Sequence, residues 1–314
     1  MAILLPLLKN GSFLADNTMK LECQAISPYL TSLNASAAVV EPKAFPSEGM
    51  PAAVHGTILL DGGALTVSES DAERFKGCPW LKRLVGADEM LYGRKRWCLY
   101  LVDVQDEEIA RWPQVLERVE QCRRNRERMV EGKSCRSPKE FRDRVNPKLY
   151  AAIPLIVARK RPYIPVDVYG GNDIPTFQLI AFPDADSFLC GILMSKASLD
   201  WTTAIGSKFG RDHRYSISLC CYAFPWPDAD EAERIRIGLL AQNVFSARKK
   251  HPELCLDSTY DPETMPRDVL EAHLELDEAV DRLYRLEGKP RIQRLLEEYS
   301  ARHQKDVCSI DRFL

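Results

Sequence analysis

The sequence predicts an α+β fold: a mixed or antiparallel-sheet region with one long helix over residues 49–228, followed by an all-helical segment over 229–314. Three observations predict it. Short apolar runs rich in strand formers recur between residues 57 and 224, bounded by Gly, Pro and Asp turn signals. Among them, Ile109, Trp112, Leu116, Val119 and Cys122 repeat at three- and four-residue steps, which is one face of a helix. From Asp228 onward the pattern becomes helical and stays so. With 314 residues, 45% hydrophobic and 28% charged, the chain has material for one large or two modest domains.

Taken in order, residues 1–48 show little periodicity and read as a lead-in or linker. Residues 2–8 are apolar, but the run is short and Pro6 breaks it, so neither a secretory leader nor a membrane span is predicted. Residues 57–60 are an apolar run leading into Asp61-Gly62-Gly63. That tripeptide is a turn signal; a phosphate-cradling loop would need a helix N-terminus with Lys and Ser or Thr after it. A helix is expected over 68–75, with Ser68 as its cap and Asp71 completing a weak capping box. Arg94, Lys95 and Arg96 form a basic turn entering a strand at 97–104. The long helix is expected over 107–131, with Pro113 tolerated in its first turns. Its arginines alternate with glutamates, which reads as a solvated face, with phosphate binding as the alternative.

Strands are expected at 153–157 and 163–169, bracketing ARKRPYIP, and at 177–182 and 188–194. Residues 217–224 read as a buried strand stopped by Pro225 and Pro227. Helices follow at 231–249, with Ile235, Leu239, Val244 and Ala247 apolar, then at 266–287 and 291–302. His273, Asp277 and Asp281 share one helical face. That set reads as interhelical hydrogen bonding, with a metal site as the alternative.

Charge and cysteine usage narrow the function classes. A net charge of -2 does not mark the whole chain as a polyanion binder, so basic residues must be weighed by their clustering. Ten cysteines lack CxxC spacing and read as reduced core thiols, which suits a cytoplasmic protein. The segment 201–216 is polar and basic: Lys208, Arg211, His213, Arg214, Tyr215 and Ser216 sit on a Gly-punctuated loop ahead of the apolar run. Forked cationic donors suit phosphates and guanine edges, which points to DNA before a small substrate. For Arg214 and Tyr215 the alternative is a loop anchor, with the arginine on carbonyls and the ring packed beneath.

The residues also carry a resemblance. RYS at 214–216, YAFPWP at 222–227, YDPETMP at 260–266 and AHLELDEAVDRLY at 272–284 resemble the C-terminal part of MmeI-type restriction-modification enzymes and related phage-defence methyltransferases. DGGAL, GRKRWCLYL and RPYIPV fit in the same order upstream, so the resemblance covers nearly the whole chain from about residue 22. It implies a target recognition domain that reads double-stranded DNA, a C-terminal helical domain, and no catalytic residues in this chain. S-adenosylmethionine and adenine methylation would belong to a methyltransferase core upstream in a longer polypeptide or complex. In that family the base-reading side chains lie in the segment matched here by 206–216. Arg94, Lys95, Arg96, Arg159 and Arg161 are then expected to hold the DNA backbone. Three departures stand out: Ala158 and Arg159 replace the usual Ser-Glu, Ser207 stands where the GRL pattern has Arg, and Ala223 where Asn is usual.

Catalytic chemistry is not expected here. An Asn-Pro-Pro-aromatic loop for a flipped adenine is missing, and the nearest approach, Asn146-Pro147-Lys148, lacks the second Pro and the aromatic. No carboxylate-x-Lys set suggests a nuclease metal site, and no metal is expected. Two other readings stay open: an interaction scaffold that docks the core or a partner through its C-terminal helices, and an enzyme of unknown type.

Overall fold

The computed structural model describes residues 12–15, 19–22, 39–129, 137–142, 149–285 and 289–310, with side-chain surroundings from 39 to 302. The strands are β1 (Ser12–Ala15), β2 (Met19–Glu22), β3 (Val54–His55), β4 (Thr66–Ser68), β5 (Leu81–Val85), β6 (Arg96–Leu99), β7 (Leu149–Pro154), β8 (Ile156–Val157), β9 (Asp167–Gly170), β10 (Asp173–Pro175), β11 (Leu179–Pro183), β12 (Ser207–Phe209) and β13 (Asp212–Arg214). The helices are α1 (Ala87–Tyr92), α2 (Asp106–Ile109), α3 (Pro113–Arg128), α4 (Ser187–Met194), α5 (Lys196–Ile205), α6 (Glu231–Lys249), α7 (Leu256–Thr259), α8 (Arg267–Leu283) and α9 (Arg291–Ile310). The α+β class is the one the sequence predicts.

The strands form four small sheets, in the orders β1-β2, β10-β5-β6-β4, β3-β11-β7-β9 and β12-β13-β8. All their pairings are antiparallel except the parallel pair of β5 and β10. One apolar core lies between the β10-β5-β6-β4 sheet and α3, around Leu65, Phe75, Leu99, Val115 and Val119. The largest core is built on β7, β11, α4 and α5, and runs without a break into Ile237, Val244, Leu276, Val280, Leu295 and Tyr299 of the C-terminal helices. The α+β region and the C-terminal helices therefore share apolar contacts across residue 228.

The YAFPWP segment welds that junction. Tyr222 donates its hydroxyl to the Ala53 carbonyl at 2.8 Å, and Trp226 donates its indole N–H to the Cys221 carbonyl at 2.8 Å. Tyr284 of the turn after α8 donates to the Pro225 carbonyl at 2.9 Å. Phe224 meets Trp201, Trp226 and Tyr284 edge to face, the arrangement aromatic quadrupoles favour.

Several expectations are corrected. Residues 217–224 are not a strand: Ile217–Cys221 is a π-helical turn closed by the Tyr222 N–H on the Ile217 carbonyl at 2.9 Å. Residues 188–194 are not a strand either. Asp186 caps α4 by accepting the Leu189 N–H at 2.7 Å, and every residue from Phe188 to Met194 is buried. A helix buried on all sides shows no amphipathic period, so a short apolar run of this kind is ambiguous in sequence. The long helix is two, because Pro113 occupies the first position of α3 and ends α2 before it. Leu116 of the expected stripe is exposed, while Val115 is buried.

Ser68 Oγ accepts the Asp71 N–H at 3.2 Å, yet the Asp71 carboxylate turns to Arg118 at 3.0 Å and closes no capping box; only a 3₁₀ turn, Ala72–Phe75, follows. Residues 57–60 contribute isolated bridges, and residues 163–166 lie outside β9. On α6 the buried face is Ile237, Ala241, Val244 and Ala247, which leaves Ile235 and Leu239 exposed. Residues 23–38 of the expected linker, Asn146-Pro147-Lys148, and the ends of the helices predicted at 107–131 and 266–287 lie outside the described residues.

Candidate nucleic-acid interface

The basic segment expected to be a loop is a β-hairpin. SKF and DHR flank Gly210-Arg211, and Gly210 takes φ +62° while Arg211 does not, the pattern of a two-residue type II′ turn. Ser207 lies opposite Arg214, Lys208 opposite His213 and Phe209 opposite Asp212. The inner strand β13 continues onto β8, with His213 opposite Val157 and Arg214 opposite Ile156. Because side chains alternate across a strand, Lys208, His213 and Val157 share one face, and Ser207, Phe209, Asp212 and Arg214 share the other. The first face is turned inward: Val157 and His213 are buried. Arg211, Arg214 and Phe209 are exposed.

Charge is distributed unevenly over this small sheet. The Lys208 ammonium is 2.9 Å from the Thr203 carbonyl and 2.7 Å from His213 Nδ1. An ammonium only donates, so Nδ1 accepts and the ring is neutral with its proton on Nε2. Burial and then the Arg159 charge lower the Lys208 pKa. Burial, then the Lys208 charge, hold His213 below the usual imidazole range. Arg159 is exposed beside them, its backbone N–H donated to the Asp212 carboxylate at 3.0 Å. Arg211 and Arg214 form no ion pair or side-chain hydrogen bond with a described residue.

The other expected site residues are placed differently. Tyr215 is buried, with its hydroxyl on the Cys220 carbonyl at 3.1 Å, so its ring is a packing element and not a surface contact. Arg161 is likewise withdrawn: it is buried and paired with Asp257 of α7. Ser216 Oγ is half-buried, 3.0 Å from Ser218 Oγ. Arg96 opens β6 of the β10-β5-β6-β4 sheet and Arg94 and Lys95 lead into it, in a sheet other than the hairpin's, and each has an acidic partner: Asp88 at 2.7 Å for Arg94, Glu69 at 3.5 Å for Lys95 and Glu89 at 2.9 Å for Arg96. Arg96 is the most fixed of the three, because Glu89 is buried and also accepts the Gly86 N–H at 2.7 Å.

Other sequence candidates resolve as structure. The Asp61 carboxylate accepts the Gly63 and Leu65 N–H groups at 3.1 and 2.6 Å, which closes a turn and leaves no anion cradle there. In α3, Arg126 is buried and donates to the carbonyls of Leu59, Leu60, Ser137 and Glu140. His273 is 2.9 Å from the Tyr260 hydroxyl, Asp277 accepts from Tyr163, and Asp281 is bound by Arg291. No group of His, Cys, Asp or Glu among the described residues could hold a metal ion, and no described helix is long and apolar enough to cross a membrane.

Sequence reasoning missed Asp212, which ties Arg159 to the hairpin, and Phe209 at the hairpin's end. The signal was present in the Gly-Arg dipeptide between two alternating triplets. It also missed Asp257 and Asp261, which anchor Arg161 and Lys160 from 96 and 101 residues away.

Comparison with known proteins gives a consistent picture. Residues 34–228 match the family described as "MmeI, target recognition domain", and residues 229–306 the family described as "MmeI, C-terminal domain". The chain is 30% identical over 285 residues to DNA methyltransferase A of Bacillus subtilis (strain 168), covering 88% of this chain and 32% of that protein. It superposes on the Type IIL restriction-modification enzyme MmeI, solved in complex with DNA, with TM-score 0.83 at 27% identity, covering 90% of this chain and 39% of that one. The chain thus spans about a third of the length of its curated relative. It belongs to the MmeI family, of which it carries the target recognition and C-terminal domains.

Proposed function

We propose that this chain reads the sequence of double-stranded DNA as the target recognition portion of a restriction-modification DNA (adenine-N6) methyltransferase. The observation that carries the reading is the hairpin Ser207 to Arg214. It is a two-stranded hairpin with Arg211 and Arg214 exposed and without a partner among the described residues, Lys208 and Arg159 adding positive charge, and Asp212 setting Arg159 beside it. A two-stranded ribbon fits the major groove, and an arginine fork suits the O6 and N7 acceptors of guanine. The solved MmeI structure holds DNA, which supports the same partner here.

The roles then sort by burial. Arg211 and Arg214 are the candidate base readers, and Lys208 and Arg159 supply the field. Arg94 and Lys95 can exchange their exposed carboxylate partners for phosphates, because surface pairs are worth little. His213, Tyr215, Ser216, Arg96 and Arg161 support the frame that presents the others.

A methyltransferase implies S-adenosylmethionine. The most closely packed glycines among the described residues form no cradle for it: a Cβ at Gly56 would meet the Thr176 carbonyl at 2.1 Å, one at Gly86 the Gln178 side chain at 2.4 Å, and one at Gly206 the Thr202 carbonyl at 2.4 Å, so protein atoms fill those approaches. In this reading the methyl donor and the reacting adenine belong to a methyltransferase core outside this chain, in the same polypeptide or complex, working in the cytoplasm.

A second reading is favoured by Ile235, Leu239, Leu270 and Leu274, which are exposed on α6 and α8. They suit a scaffold that docks the core or another partner. The deciding experiment is fluorescence anisotropy of the chain with a pool of randomised duplexes, titrated with salt, followed by sequencing of the retained fraction. Enrichment of one short motif, with affinity falling steeply as salt rises, is expected. Binding without enrichment, or none at low salt, moves the assignment to the scaffold. Within an enriched site, Arg214→Ala is expected to cost about 1 to 3 kcal/mol at one base pair.

A further inference from the structure

Phe209 is 64% exposed at the end of β12, on the hairpin face that carries Arg214 and next to the Gly210-Arg211 turn. Its position is specified: the type II′ turn fixes the register, and the register puts Phe209 opposite Asp212 on the outward face. A two-residue turn leaves the ring no slack to fold back under the sheet. The inner face is already occupied by Lys208 over His213.

A lone exposed aromatic needs no explanation by itself. This one lies next to the Arg211 turn and on the face of Arg214, two exposed guanidinium groups without a partner among the described residues. The partner that satisfies both features is polyanionic on its outside and offers flat apolar surface a few ångströms further in. A stacked base step in duplex DNA has that chemistry. A protein surface would supply the apolar area without the dense negative charge, and a free phosphate would supply charge with nothing for the ring.

We propose that Phe209 is a wedge: the hairpin enters a groove with Arg211 and Arg214 on phosphates or base edges, and the ring is driven against a base step, which it partly unstacks. The inference rests on the DNA reading above and adds a mode of recognition to it. Wedged side chains make affinity depend on how easily a step opens, so sequence is read at a position that no hydrogen bond touches. Pyrimidine–purine steps, the most easily unstacked, are the expected preference beneath Phe209.

The test compares Phe209→Ala, Phe209→Trp and Arg211→Ala in this chain, with the same randomised duplex pool as probe. Phe209→Ala is expected to weaken binding about 5- to 100-fold while leaving the salt slope unchanged, because it removes stacking and no charge. Arg211→Ala is expected to lower that slope by about one unit. Phe209→Trp is expected to retain binding, and its added indole emission to be quenched by DNA above the response of the five native tryptophans. Thermal unfolding of each variant, expected to match the parent because the ring is exposed, separates lost binding from lost fold. Parent-like affinity in Phe209→Ala, with an unquenched Phe209→Trp, overturns the wedge and leaves the DNA reading standing. Failure of the parent chain to bind any duplex overturns both.

Discussion

Lys208 Nζ lies 2.7 Å from His213 Nδ1, directly across the β12–β13 pairing, so the exposed lysine's ammonium is seated on a neutral, buried imidazole. A protonated ring could not accept that bond, and two adjacent cations over a buried strand would repel. Burial comes first and the Lys208 charge second in holding the His213 pKa below its ordinary 6.5. A base whose folded pKa is depressed binds fewer protons folded than unfolded. The stability it contributes is complete above 6.5 and is lost as pH falls through that value. His273, which burial and then the Arg248 charge lower to about 3, acts with the same sign, so a variant is needed to isolate His213. The difference in unfolding midpoint between parent and His213→Gln is expected to shrink on acidification from about pH 8 to about pH 5. A constant difference would mean that His213 is not held neutral.

Asp277 titrates with the opposite sign. Burial raises it from 3.8 to about 6, against the opposing effects of the Lys196 N–H, the Tyr163 hydroxyl and the Arg291 charge. Folded, it holds its proton across a range where the unfolded carboxyl has lost it. The contribution of Asp277 to parent stability should therefore fall as pH rises from about 4 to about 6, opposite in sign to that of the two histidines. Asn at this position keeps an acceptor for the Lys196 N–H, now at 2.7 Å, and its amide can donate to Tyr163, now at 2.9 Å. Relative to the parent, Asp277→Asn is expected to gain about 1 to 3 kcal/mol across that window and then level off. Urea unfolding at several pH values reads this directly, and a gain that continues well above pH 6 would assign the effect to another group.

The sequence carried the fold class, the three long C-terminal helices and the clustering of cations at 208–214, because those rest on local signals. Amphipathic period, capping and cation clustering are written within about twenty residues. Two apolar runs went wrong. Residues 188–194 are buried on every side, and complete burial erases the alternation that separates strand from helix. In 217–221 only Cys220 and Cys221 are buried, and a single π-helical turn is too short to show a period. Site roles failed where they depended on distant partners. Nothing near Arg161 shows that Asp257 will bury it, and nothing near Tyr215 shows that the Cys220 carbonyl will take its hydroxyl. Phe209 was legible only once the hairpin register assigned it a face.

The pairing of Arg161 with Asp257 ties the C-terminal domain to the basic face. Arg161 is 6% exposed, while Lys160 beside it reaches Asp261 at the surface. Asp257→Asn leaves a buried guanidinium without its counter-charge and is expected to cost about 2 to 3 kcal/mol. Asp261→Asn breaks only an exposed pair and should leave the unfolding midpoint near the parent's. Because residues 158–161 lead out of β8, beside the hairpin, Asp257→Asn should also weaken duplex binding. Its salt slope should stay unchanged, since no DNA-facing charge is removed. Equal midpoints for the two variants would remove Asp257 as the anchor of this loop.

Two glycines set how closely α4 and α6 approach, and they are predicted to respond differently to the same substitution. A Cβ at Gly191 would stand 2.7 Å from Ile237 Cγ2 and 3.2 Å from the Ile237 carbonyl. At Gly238 the nearest atom is Ser187 Cβ at 3.3 Å, a tight contact that a small shift relieves. Alanine gains up to about 1 kcal/mol of helix propensity at either position. At Gly191 overpacking outweighs that gain, and Gly191→Ala is expected to lose about 1 to 2 kcal/mol net. Gly238→Ala should stay within about 0.5 kcal/mol of the parent. Adding Ile237→Asn would confuse cavity with polarity, so the second-site test is Ile237→Val in the Gly191→Ala background. Valine lacks the terminal methyl of Ile237 and shifts the packing around the clash, so the double variant should lose less than the sum of the two single losses. Strict additivity in urea unfolding would show that Gly191 tolerates a side chain through backbone movement, and that the α4–α6 contact is not set by this residue.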